Sequence, residues 1–153
     1  MTTRLHDERR YELDADRLVA LYKDPEFQLA RSRALGTLEA TCEREGDVVV
    51  LEETRDTGFK PHLYVTRLTT RWDGRRATWE LTRVSGPGDA AAEGTLLVEP
   101  RGKGSTLTLE GTLEVRVPLL GRMIERLARR GLTAEKDVEA KFVERWIRTI
   151  STT

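Results

Sequence analysis

The chain has 153 residues, in which 26 Lys and Arg balance 26 Asp and Glu, and 38% of its residues are hydrophobic. That is enough apolar material for a buried core, and the zero formal charge argues against a nucleic-acid binder, which carries a basic excess on one face. One cysteine, Cys42, and two distant histidines, His6 and His62, exclude an internal disulfide and a Cys/His metal site.

Leu5, Tyr11 and Leu13 fall at odd positions with His6, Glu8, Arg10 and Glu12 between them. This period of two predicts a strand with one wet face; Asp7 and Arg9 share its apolar face as a charged pair. Asp14 or Asp16 can cap a short helix over Arg17–Lys23, because an Asp oxygen accepts from the free amides of a first turn. Asp24-Pro25 stops that helix and starts a second over Pro25–Leu35, with Phe27, Ala30, Ala34 and Leu35 facing inward and Gly36 at its end. From Gly36 to Val117 the pattern is that of strands. Leu38, Ala40 and Cys42 alternate with Thr37, Glu39, Thr41 and Glu43, and Glu45-Gly46-Asp47 turns the chain into Val48–Leu51. Leu63–Trp72 is rich in β-branched and aromatic residues, and Asp73-Gly74 signals a hairpin. Ala77, Trp79 and Leu81 mark the return strand, and Ala92–Val98 the next. Arg101-Gly102-Lys103-Gly104 is a further turn, before the most regular alternation of all, Leu107, Leu109, Gly111, Leu113, Val115 and Val117. Consecutive hairpins of this kind build an antiparallel meander with one dry face.

After Pro118 the period becomes helical. Leu120, Met123, Ile124, Leu127, Val138, Phe142 and Ile147 recur at three- and four-residue steps, while Arg122, Glu125, Arg126, Glu139, Lys141 and Glu144 fall elsewhere. Gly131 marks a place for a kink. A helix of this length spans about 45 Å at 1.5 Å per residue, and its natural place is diagonally across the concave face of the sheet.

Individual chemical groups point away from catalysis. His6 alternates with outward charges, and His62 follows Lys60-Pro61 in a loop; both read as solvated or structural. Cys42 faces inward, where a thiol acts as a small hydrophobe. Glu43, Glu45, Glu52 and Glu53 read as ordinary strand and turn charge; Glu53 and Arg55 also share a face with Val49 and Leu51, where an ion pair could line a cavity if the register turns that face inward. Gly102-Lys103-Gly104 lacks the spacing that cradles phosphate. Arg126, Arg129 and Arg130 read as a solvated helix face. The aromatic set is more informative: Tyr64, Trp72 and Trp79 fall on inward faces with Phe142 opposite, and such rings either wall a pocket, with the Tyr64 hydroxyl orienting a polar group, or simply fill the core.

The order strand, two short helices, six strands, long helix resembles the START-like superfamily, also known as SRPBCC or Bet v 1-like. Two segments carry the local likeness. Tyr22-Lys23-Asp24-Pro25-Glu26-Phe27 resembles its helix–helix corner, and Val115-Arg116-Val117-Pro118-Leu119-Leu120-Gly121 its last strand entering the terminal helix. The chain is most similar to a short bacterial branch classed as a domain of unknown function. The resemblance implies an α+β helix-grip fold of β-α-α-β6-α order, a seven-stranded curved antiparallel sheet around a long C-terminal helix. It also implies a cavity between them that holds lipids, sterols, polyketides or other hydrophobic compounds.

The expected function is therefore binding or transport of a small hydrophobic ligand or lipid, without catalysis and without a cofactor. The expected lining runs along each strand in turn: Leu38, Ala40 and Cys42; Val49 and Leu51; Tyr64, Leu68 and Trp72; Trp79 and Leu81; Leu96 and Val98; Leu109 and Leu113. The helix adds Ile124, Leu127, Val138 and Phe142. One alternative is a polyketide cyclase/dehydratase-like enzyme in the same cavity, with Tyr64, Glu53, Arg55 and Asp7 as its titratable candidates. Another is a protein–protein module working through an edge strand or the basic helix face. The expected setting is a cytoplasmic domain over 1–153, monomeric or weakly dimeric. It makes no integral membrane contact, since no stretch nears the ~18 apolar residues of a span and the N-terminus lacks an apolar leader.

Overall fold

The computed structural model describes residues 2–56, 63–86, 89–116 and 121–151, and the side chains of these except at 89–90, 115–116 and 121–134. His62, the loop at Lys60-Pro61, and the side chains of Met123, Ile124, Leu127, Arg126, Arg129 and Arg130 lie outside what is described, as does Leu120.

The elements are β1 (Thr2–Tyr11), α1 (Ala15–Lys23), α2 (Pro25–Ala34), β2 (Glu39–Glu45), β3 (Val48–Asp56), β4 (Leu63–Asp73), β5 (Arg76–Ser85), β6 (Asp89–Arg101), β7 (Gly104–Arg116) and α3 (Gly121–Ser151). The strands form one antiparallel sheet in the order β1-β7-β6-β5-β4-β3-β2. The first strand therefore closes the meander beside the last, which leaves β1 and β2 as the two edges. This is the expected α+β helix-grip arrangement.

Local chemistry explains the helix corner. Asp14 caps α1 by accepting from the Arg17 amide at 3.0 Å. Asp24 serves both helices: its amide donates to the Leu21 carbonyl at 3.0 Å, and its carboxylate accepts from the Glu26 amide at 2.9 Å. Pro25 then fills the first turn of α2, where its missing N–H costs nothing.

The strand register brings apolar side chains into rows across the inner face. Leu51, Leu68, Leu81, Ala92 and Leu113 are successive cross-strand neighbours from β3 to β7. A second row runs Trp72, Ala77, Leu96 and Leu109 to Asp7. Between them, Trp79 faces Gly94, which pairs with Gly111. A Cβ at Gly111 would sit 2.6 Å from the Trp79 ring, so only glycine lets the indole lie there.

α3 is continuous through Gly131, with no break, and its 31 residues span about 46 Å. Its C-terminal half packs hard. Phe27 is fully buried, with ring centroids 5.3 Å from Tyr22, 5.9 Å from Phe142 and 5.6 Å from Trp146, while Val143 and Ile147 are buried alongside.

Three expectations fail in these elements. On α2, Ala34 is exposed and Ala30 only half-buried, while Gln28 and Ser32 are buried; the helix turns a polar face inward because partners await it there. On α3, Val138 is 44% exposed whereas Glu139, Ala140 and Val143 are buried. At this turn a charged residue takes the inward place expected of Val138, while Phe142 and Ile147 pack inward as expected. Leu38 is 58% exposed and precedes β2, so it lies outside the sheet's inner rows.

Candidate functional site

Beyond the aromatic cluster, the sheet and helices part to leave a cavity of about 350 Å³. At roughly 30 Å³ per water in the liquid, this is room for about 12 waters. Its floor is the apolar rows: Val49, Leu51, Leu68, Trp72, Trp79, Leu81, Leu96, Leu109 and Leu113 all line it, as the inward alternation predicts. Leu68, Leu81 and Leu109 remain only partly buried although they face inward. The surface they keep is cavity wall.

The opposite wall is polar. It is assembled from β1, β3, α2 and the 135–139 turn of α3. Glu139 sits at its centre: Tyr22 donates to Oε1 at 3.1 Å, and Lys136 donates to Oε2 at 3.1 Å. Arg31 Nε lies 3.1 Å from Oε1, but its N–H is not aimed at a partner, so that pair is held by charge more than by a directed bond. Arg31 also donates through Nη1 to Gln28 Oε1 at 3.2 Å, and Gln28 in turn donates to the Tyr22 carbonyl at 2.8 Å. A second group surrounds Glu53, which accepts from Ser32 Oγ at 2.6 Å and lies 3.5 Å from Arg55 Nη2. Arg55 further pairs with Glu135. On β1, Arg9 bridges Asp7 at 3.2 Å and Asp137 at 2.7 Å.

Burial acts strongly on these groups. It raises the Tyr22 hydroxyl well above the ordinary tyrosine range, and the Glu139 charge adds to the rise. Tyr11 moves the same way, again by burial first and then Glu139. Burial alone would raise Glu139, but Arg31 and Lys136 overcome it and hold the carboxyl at about 2. For Arg31 and Arg55 burial acts downward and is outweighed by their carboxylates, so both stay charged. Tyr64, opposite Arg55 in the sheet, is raised by burial.

Several expected lining residues stand elsewhere. Ala40 and Cys42 are on the inner face, opposite Glu53 and Leu51, yet do not line the cavity. Burial pushes the Cys42 thiol up to about 11, the behaviour of an inert thiol. Tyr64 flanks the polar wall without lining the cavity, Val98 is packed in the core, and Phe142 belongs to the aromatic cluster. Of the titratable candidates, Glu53, Arg55 and Asp7 do reach the cavity. Sequence reading missed Tyr22, Arg31, Lys136 and Glu139. The available signal was Glu139 at four-residue spacing before the apolar Val143, a step that places both on one helix face.

A wider hollow of about 790 Å³ crosses the outer face of the sheet, bordered by Thr69, Arg71, Thr78, Glu80 and Glu93. It is open, and in it Glu80 stands directly opposite Glu93 in the ladder. The inner cavity, less open and walled on both sides, is the better candidate for a ligand. Among the described residues no cluster of His, Cys, Asp and Glu is suited to a metal, and no helix is long and apolar enough to cross a membrane.

A family model described as a protein of unknown function (DUF2505) matches residues 7–147. No curated protein matches the chain. Among solved structures, TTHA0849 from Thermus thermophilus is 21% identical, with a TM-score of 0.72 over 97% of this chain and 99% of that one. The Zhui aromatase/cyclase from Streptomyces sp. R1128 is 13% identical, with a TM-score of 0.70 over 96% of each chain. Norcoclaurine synthase from Thalictrum flavum, in complex with dopamine and hydroxybenzaldehyde, is 21% identical, with a TM-score of 0.62 over 94% of this chain and 87% of that one. At these identities the likeness is one of fold.

Proposed function

The chain belongs to the DUF2505 family of proteins of unknown function, and from that premise we propose that it binds a small, mainly apolar molecule and holds it without changing it. Residues 1–153 act in this as one domain. The observation that carries the reading is the unfilled space between the leucine rows of the sheet and the 135–139 turn of α3. Native interiors are packed nearly as densely as organic crystals, so a hollow of this size in an otherwise tight core calls for an occupant. Neighbouring structures named as an aromatase/cyclase and as a norcoclaurine synthase in complex with dopamine and hydroxybenzaldehyde support a small organic ligand for a chain of this fold.

The same neighbours keep the enzymatic alternative in view, with the buried Tyr22–Glu139–Arg31 cluster as its machinery. General acid–base catalysis works best with groups poised near the working pH. Here Tyr22 and Tyr11 are driven up and Glu139 is driven down. Groups held that firmly in one protonation state position a ligand well and exchange protons poorly, which favours the binder.

Thermal unfolding in the presence of a panel of neutral and charged apolar compounds tests the proposal. A ligand that binds only the folded state raises Tm with concentration. At least one compound is expected to do so, with the effect lost in Leu81→Trp, which fills the floor. A panel with no such compound would defeat the reading, and recovery of a chemically altered compound after incubation would favour the enzyme.

A further inference from the structure

We infer that the polar part of the bound molecule is uncharged: a hydroxyl, carbonyl or ether group rather than a carboxylate, phosphate or amine. The inference rests on the binding reading above and goes further, to the chemical class of the ligand.

It follows from how charges are matched in the described wall. From the inner face and the helices, four cations line the cavity, Arg9, Arg31, Arg55 and Lys136, together with four carboxylates, Asp7, Glu53, Glu135 and Glu139. Each has an opposite charge at contact distance within the protein: Arg9 with Asp7, Arg31 and Lys136 with Glu139, Arg55 with Glu53 and Glu135. Arg9 also reaches outward to Asp137. Arg4 and His6 border the cavity from outward positions of β1, where His6 stands 3.4 Å from Glu110.

An ionic ligand entering this wall would have to displace one of these partners or lie buried without a counter-charge. Either is strongly unfavourable, because a buried charge without its partner loses its hydration with nothing in return. A neutral polar group avoids both. It needs only a hydrogen bond, and the wall has capacity to give one. Glu139 and Glu53 are acceptor-only carboxylates with more lone-pair positions than their donors occupy, and the Lys136 ammonium carries three N–H groups, one of them directed at Glu139. The apolar remainder of the molecule then lies along Leu51, Leu68, Leu81 and Leu113.

The test uses two matched trios measured by isothermal titration calorimetry at pH 7: 1-decanol, decanoate and decylammonium, and 2-naphthylmethanol, 2-naphthoate and 2-naphthylmethylammonium. The alcohol of at least one trio is expected to bind about tenfold or more tighter than both of its ions, since 1.4 kcal/mol is a factor of ten. An ion that equals or beats its alcohol overturns the inference while leaving the binding reading intact. Failure of all six compounds to bind defeats the binding reading, and this inference with it. A second arm breaks the balance on purpose. Glu135→Gln, at a partly exposed position, leaves Arg55 with Glu53 alone and the wall with one surplus positive charge. The carboxylate is expected to gain about fivefold or more on its alcohol in this variant, by the coupling typical of such pairs. No relative gain would overturn the inference.

Discussion

From Glu135 to Ile147, α3 turns one face towards the interior, yet the two ends of that face differ. At the C-terminal end, Phe142, Val143, Trp146 and Ile147 meet Phe27 and Tyr22 in a filled aromatic core. One turn earlier, Glu135, Lys136 and Glu139 meet leucines, and the space stays open. The backbone arrangement is continuous across this boundary, so the difference lies in side chains. Apolar groups close on their neighbours because contact is favourable for both surfaces. Charged groups stop short of it, held by Arg9, Arg31 and Arg55 and unwilling to shed their partners. The hollow is thus maintained by the ion pairs that roof it.

The strongest way to break this comparison is to attack each half at its most buried point. Phe27→Ala removes the central ring of the filled half and is expected to cost about 3–5 kcal/mol. Glu139→Ala leaves Arg31 buried without its main counter-charge, and a similar loss of about 3–5 kcal/mol is expected. Chemical denaturation would measure both. They part in the rescue. Replacing Arg31 as well, in Arg31→Leu/Glu139→Leu, removes both charges and is expected to regain most of the loss, whereas no second substitution in the sheet restores Phe27→Ala.

Acid sharpens the same contrast with a smaller effect. In the folded protein Glu139 titrates at about 2, below its ordinary 4.5. A carboxyl with a depressed folded pKa stabilises the fold fully above its unfolded pKa and loses that contribution as pH falls towards the folded one. The contribution of Glu139, on the order of 3 kcal/mol, should therefore be complete above about pH 4.5 and fade between there and about pH 2. The stability gap between the parent and Glu139→Gln should narrow over that window. The gap between the parent and Phe27→Ala should not follow it, because no titrating group is lost with the ring.

The floor and the helix corner were the legible parts of the sequence. Strict alternation in Leu107–Leu113 and in Ala77–Leu81 assigns each side chain to a face, and register errors would expose a whole row to water. The Asp24-Pro25 corner was equally plain, since proline and a capping Asp have few other places to go. The polar wall was not legible. Arg31, Lys136 and Glu139 look like solvent-facing helix charge when read by hydrophobic periodicity, which assumes that polar means outside. They point inward because each finds a partner from a distant segment, and those pairings arise only once α2, α3 and β3 are side by side. Val138 shows the same error in reverse: an apolar residue assigned inward is displaced by a charged neighbour with a better reason to be buried. Glu53 and Arg55 were legible only in part: alternation puts them on one face with Val49 and Leu51, but which way that face points depends on a strand register that only the assembled sheet sets.

The smallest predicted effects probe the space itself. Ala92 lies between Leu81 and Leu113 in the floor, and its methyl faces the cavity. Ala92→Leu adds three carbons where there is room, so its effect on stability should stay within about 1 kcal/mol and can be favourable, since new apolar contact replaces none. Val143 is fully buried in the filled half, and Val143→Phe forces a larger ring into occupied volume at an expected cost of about 1–3 kcal/mol. Measured side by side, the two enlargements report on the open and the filled part of one interior. Equal penalties would mean that the floor is as tightly packed as the aromatic end. A tolerated Ala92→Leu that also weakens ligand binding would locate the occupant over the leucine row.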